Sequence, residues 1–191
     1  MQLIHPMRIA HPRDTRSSTS RRRTLALSTS ALLSLAAAGC GSDGPLAPGL
    51  GTGSVTASGA VAASGSGLAL FQSVSSGGTS LFQIVIAPVS QSATTWSLQI
   101  ANYSGRLAAG TYNLSPLSSS SSAPTASFYY TSGGNLQMFN STSGQLVITS
   151  SSSSAVRGTF TFTATDPAGG ASSVTAHGSF DAQCAPGITC Q

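Results

Sequence analysis

Few side chains in this sequence can carry chemistry near neutral pH. From residue 40 onward the carboxylates are Asp43, Asp166 and Asp181, the only histidine is His177, and the cysteines are Cys40, Cys184 and Cys190. A glycosidase needs two carboxylates facing one another across its substrate, which would have to be Asp166 and Asp181. Asp166 precedes Pro167, a place where aspartate ordinarily hydrogen-bonds its own turn. A Ser–His–Asp hydrolase would need His177 with one of the same aspartates, and the chain has no Gly-x-Ser-x-Gly elbow to present a serine. His177, Asp181, Cys184 and Cys190 are close in sequence. Four strand residues nevertheless separate His177 from Asp181 by about 13 Å, whereas all ligands of one zinc lie about 2 Å from the ion. The expectation is therefore no catalytic residue, no metal site and no cofactor.

Cysteine chemistry is more legible. Cys184 and Cys190 flank a Pro186-Gly187 turn that can bring them together, and they form a disulfide if the chain is exported to an oxidising compartment. Free thiols are the alternative. Aromatic side chains offer one binding possibility. Trp96 with Tyr129 or Tyr130 would make a sugar-stacking platform, although single aromatics on strands more often belong to the core.

The N-terminal segment bears on the compartment. Arg8, Arg13, Arg16, Arg21, Arg22 and Arg23 precede residue 40, opposed only by Asp14. Beyond it two arginines, Arg106 and Arg157, face three aspartates, a net of −1. The pI near 9.4 thus belongs to the leader, and the remainder has no basic patch to neutralise phosphates, so no nucleic-acid partner is expected. Residues 25–38 are apolar but too short to span a bilayer, which takes about 20 residues. Basic region, apolar run and small residues in that order read as a cleaved export signal over residues 1–39. Ser20-Arg21-Arg22-Arg23-Thr24-Leu25 resembles a twin-arginine motif, with an ordinary Sec signal as the alternative. Ala37-Ala38-Gly39-Cys40 resembles the lipobox of bacterial lipoproteins, with Ala37 where leucine is usual. That resemblance implies cleavage between Gly39 and Cys40, lipidation of Cys40 and attachment to a membrane. Gly41 after the cysteine resembles the sorting pattern of outer-membrane lipoproteins.

Residues 40–53 read as the lipidated cysteine and a Gly/Pro-rich tether, and residues 54–191 as one domain. Charged residues are 6% of the chain, against roughly 25% in an ordinary soluble domain, and neither Lys nor Glu occurs. Apolar residues instead recur with period two. Segments 55–63, 68–74, 81–87, 95–103, 110–112, 128–131, 136–139, 145–149, 156–164 and 174–180 read as strands, with a hairpin at Ser132-Gly133-Gly134-Asn135. No helical spacing persists. Eight or nine short strands around one core predict an antiparallel β-sandwich. The Asn-x-Ser/Thr triplets at Asn102, Asn113 and Asn140 read as chance in a Ser/Thr-rich chain.

Three segments in order, Ser143-Gly144-Gln145-Leu146-Val147-Ile148-Thr149, residues 156–164 beginning Val156-Arg157-Gly158-Thr159-Phe160, and Val174-Thr175 with Gly178-Ser179-Phe180-Asp181, resemble a family of uncharacterised bacterial lipoproteins. The family pattern is roughly SGxVxIT, VxGTFxFTA and VTxGxFD, and Gly110-Thr111-Tyr112 resembles its turn into a strand. The resemblance covers about residues 105–182 and implies an all-β exported domain without assigned catalytic residues. The expected function is a lipid-anchored envelope protein serving as a non-enzymatic structural or binding module. A carbohydrate- or peptide-binding accessory of an uptake or adhesion system is the alternative, and a hydrolase the remote one. Its protein or glycan partner is open.

Overall fold

The computed structural model describes residues 49–90, 92–117 and 122–191. The expected signal peptide, the Gly39/Cys40 cleavage and lipidation site and most of the tether lie outside the described residues, as does Asp43. The described chain is all β: β1 (Gly51–Gly59), β2 (Ala63–Ser76), β3 (Thr79–Ala87), β4 (Thr94–Asn102), β5 (Gly110–Asn113), β6 (Thr125–Ser132), β7 (Asn135–Ser151), β8 (Ala155–Thr165) and β9 (Ser173–Cys184).

These strands do not form two packed sheets. Each pairs antiparallel with the next around a ring, β1-β2-β3-β4-β6-β7-β8-β9, and β9 returns to β1 with Thr52 opposite Asp181 and Gly59 opposite Val174. The architecture is an eight-stranded up-and-down barrel, which corrects the sandwich expectation. Both folds bury alternate residues on every strand, so periodicity alone cannot distinguish them. The β1–β9 pairing decides it, and it joins residues more than a hundred positions apart. β1 begins at Gly51, three residues inside the expected tether. Gly51 fits there because a Cβ would stand 2.2 Å from the Ala69 carbonyl oxygen and 2.3 Å from that of Asp181.

The segments 136–139 and 145–149 are one strand, β7, which changes neighbours midway. Its first part pairs with β6 as far as Asn140, and its second pairs with β5 from Gln145 to Ile148. The register against β8 shifts between Ser141 and Ser143. There the buried Ser141 hydroxyl accepts from the Ala126 amide (3.0 Å) and donates to the Ser115 carbonyl (2.7 Å). The hand-over between strands is thereby satisfied without a ladder bond, as a bulge requires.

An eight-stranded barrel has an interior that side chains can just fill. Phe71, Phe82, Phe128, Phe139 and Phe162 are fully buried there, with Ile84, Ile86, Leu98, Ile100, Leu146, Ile148 and Val55. Large rings fit because glycines stand opposite them. Gly158 pairs with Phe180, Phe160 with Gly178, and Gly144 with Phe162. A Cβ on Gly178 would lie 2.7 Å from the tip of the Phe160 ring and 1.9 Å from the Ser54 carbonyl oxygen; one on Gly158 would lie 2.8 Å from the Phe180 ring tip. The outward positions of β8 and β9 are Arg157, Thr159, Thr161, Thr163, Thr175, His177, Ser179 and Asp181, polar throughout.

The chain enters the barrel at the start of β1, and this pole also carries the β2–β3 turn, the long β4–β6 connection, the β7–β8 turn and the C-terminal tail. The far pole carries the other four turns. Among them is the expected hairpin between β6 and β7, with Gly133 and Gly134 at φ 56° and 82°.

Because the ring–glycine pairs leave no slack, Gly178→Ala is expected to lower unfolding free energy by about 2–3 kcal/mol, the range for overpacking. Gly170→Ala in the exposed β8–β9 turn, where the nearest atom to a new Cβ is 3.5 Å away, should change it by less than about 0.5 kcal/mol. Urea denaturation followed by far-ultraviolet circular dichroism checks both.

Candidate functional site

β3 stops at Ala87, before its neighbours do. β2 pairs with β3 only from Leu68 onward, and β4 pairs with it only from Leu98 onward. Residues 63–67 of β2 and 94–97 of β4 therefore continue toward the far pole with no strand between them. The Pro88 turn forces this departure: proline has no N–H to give a ladder. The Ala87 carbonyl crosses β2 at Gly67, where a Cβ would stand 2.0 Å from its oxygen. The result is a notch in the barrel wall containing a cavity of about 420 Å³.

Trp96 and Tyr130, cross-strand partners on β4 and β6, form part of the cavity lining. Alternation points both inward, with Leu98 and Phe128 below them. Trp96 is 9% exposed, so the core reading of this residue is correct for most of its surface. A Cβ on Gly65 would stand 3.8 Å from the indole Nε1, placing that edge of the ring against a residue of the cavity wall. The rest of the lining is small and uncharged: Ala62, Ala63, Pro88, Ser90, Ser92 and Thr94, with Ser64, Ser66 and Thr95, whose side chains the register sets on the outer wall. Tyr129 points to the outer face, its hydroxyl 3.5 Å from Gln99 Oε1, and does not join the site. The aromatic pair was readable in the sequence. The hydroxyl wall was not, because serine is so frequent here that no spacing marks these positions.

The other chemistry-bearing residues are dispersed. Asp166 accepts from the Ala168 amide (2.8 Å), and its own carbonyl accepts from Gly169, so it builds its turn at the far pole. Asp181 lies toward the entry pole on the outer wall, paired with Arg157 at 2.8 Å and accepting from Gln183. Nine residues of β8 separate those two aspartates, roughly 30 Å of strand. His177 is exposed on the outer wall opposite Thr161. Among the described residues no group of three His, Cys, Asp or Glu gathers around a point. Asn102 is buried, its amide nitrogen donating to the Gly105 carbonyl (2.6 Å), and Tyr112 donates to the Ala108 carbonyl (2.9 Å). Both staple the β4–β5 connection around a second cavity of about 620 Å³ at the entry pole.

Cys184 and Cys190 form the disulfide, with Cα atoms 6.1 Å apart. β9 runs past the start of β1 and meets β2 in parallel, Leu70 opposite Gln183 and Phe71 opposite Cys184. The tail keeps that contact: the Ala185 amide donates to the Phe71 carbonyl and the Gln191 amide to that of Ser73. Cys190 is buried and Ile188 packs on the core. The bond therefore fastens a tail that itself covers apolar surface.

A domain of unknown function, DUF6252, matches residues 76–182. The chain belongs to this family. The match contains the three segments whose pattern the sequence carries, and it spans β3 to β9 almost completely. β1 and nearly all of β2 lie outside it, although they complete the ring between β9 and β3. No curated protein and no solved structure matches the chain.

Replacing both Cys184 and Cys190 by alanine should lower stability by about 2 kcal/mol, the entropy of so short a closed loop, while unfolding stays cooperative. Intact-mass measurement after alkylation should find neither thiol free in the parent protein; two modified thiols would contradict the bond.

Proposed function

We propose that this is a lipid-anchored protein of the bacterial envelope, held at Cys40 in the outer membrane, whose barrel is a non-catalytic binding module. The anchoring reading rests on residues 32–40 and on the short path from Cys40 to β1. Ten residues, 41–50, can span at most about 35 Å, which would keep the entry pole near the lipid. The polarity of the barrel supports attachment rather than spanning. A transmembrane barrel carries an apolar band outside and a polar lumen, whereas this one has a hydrocarbon interior, and its β8–β9 face presents Thr, Ser, Arg, Asp and His outside.

The single observation that carries the non-catalytic reading is the dispersal of the titratable groups. Asp166, Asp181 and His177 are each engaged or exposed at separate places, and general acid–base work requires such groups to converge on one substrate. The Trp96–Tyr130 notch favours the binding version of the module over a purely structural one, and its place at the far pole would present it away from the membrane.

Metabolic labelling with a palmitate analogue should mark the parent protein and fail to mark Cys40→Ala, which should also shift to the soluble fraction. Equal labelling of parent and variant would refute the anchor.

A further inference from the structure

We infer that the notch beside Trp96 is a binding site for a neutral saccharide, of mono- or disaccharide size in its occupied part. This rests on the reading of the barrel as a non-catalytic binding module and names its ligand class.

Three observations converge. The lining includes the half-buried Tyr130 ring beside the edge of Trp96, and the apolar C–H face of a sugar packs on aromatic surface while its hydroxyls stay free to hydrogen-bond. The wall is built of hydroxyls and bare strand edges. Residues 63–67 of β2 and 94–97 of β4 lack a ladder partner on the side facing the notch, so backbone donors and acceptors stand there beside Ser90, Ser92 and Thr94. A sugar hydroxyl donates and accepts at once and can satisfy such a mixed wall. Finally, among the described residues no charged side chain lines the cavity, which leaves an anionic ligand without a cation and a cationic one without a carboxylate. The Nε1 edge of Trp96 faces Gly65 at the cavity wall, where a ligand oxygen could accept from it. The volume of about 420 Å³ falls in the range of small-ligand sites, roughly 300–1,000 Å³.

An extended peptide is the rival occupant, since it could use the same strand edges. Strand addition gains specificity from pockets that take alternate side chains. This wall offers Ala, Ser, Gly and Thr in place of such pockets, so the saccharide is favoured.

Trp96 is the only tryptophan in the chain, so intrinsic fluorescence reports on this cavity alone. The whole chain should be titrated with neutral disaccharides (maltose, cellobiose, chitobiose and mannobiose), with galacturonic acid, and with a set of short uncharged peptides. At least one neutral disaccharide should shift the emission saturably, while galacturonic acid should not. Tyr130→Ala should weaken that binding at least tenfold in protein that still unfolds cooperatively, and Ala63→Tyr, which fills the notch from an inward position of β2, should abolish it. Silence across the saccharides, a response to peptides alone, or unchanged affinity in both variants would overturn the site. Nuclear magnetic resonance of the incubated sugar separates this from the parent reading. An intact sugar agrees with both, whereas a cleaved sugar defeats the non-catalytic reading and leaves the binding site standing.

Discussion

Closure of this barrel depends on phenylalanine rings lying over glycines on the neighbouring strand. The interior of eight strands is narrow, and β8 brings Phe160 and Phe162 into it while β9 brings Phe180. Each ring needs space where its cross-strand partner would otherwise place a Cβ, and Gly178, Gly144 and Gly158 supply it. The arrangement is reciprocal between β8 and β9: each strand contributes a ring and a glycine to the other. Glycine weakens an isolated strand, but an aromatic neighbour covering it recovers the packing. The segments that resemble an uncharacterised lipoprotein family are largely this set of residues, so the pattern describes how a barrel wall packs. It carries no chemistry of its own.

The same closure explains where a site can and cannot be. A lumen filled with Phe, Ile, Leu and Val leaves no room for a ligand along the barrel axis, and among the described residues the outer wall gathers no cluster of titratable groups to hold one. Recognition is left to places where the wall is interrupted. β3 ends early at Ala87, and the gap between β2 and β4 exposes the edge of Trp96 and bare backbone. A shorter strand in an otherwise continuous ring thus opens the packed wall at the proposed binding site. At the opposite pole the disulfide-fastened tail lies along β2 and covers apolar surface where β1 begins.

Particular residues show how far a linear reading reaches. Alternation placed Phe160, Phe162 and Val174 inside and His177 outside, because the period of a strand is set by backbone geometry and needs no partner. Asp166 was readable as a turn residue for the same local reason. The turn at Pro186-Gly187 made the Cys184–Cys190 bond legible, since its loop is only a few residues long. Sandwich against barrel was not legible: it turns on Thr52–Gly59 finding Val174–Asp181, a pairing that no local pattern encodes. The notch was half legible. Trp96 and Tyr130 could be seen as aromatics on strands, but their adjacency comes from the β4–β6 register, and the hydroxyls around them carry no distinguishing spacing.

By itself, then, the sequence determined the all-β class, the inward face of nearly every strand, the turns, and the concentration of basic residues before residue 40 with little charge after it. These properties follow from local geometry and composition. Only the tertiary structure decided that the ring closes, that β7 serves two neighbours in turn, that the rings stack on glycines, and that β3 stops short beside Trp96. Each of those depends on contacts between distant segments, whose free energy is shared among strands and written in none of them alone.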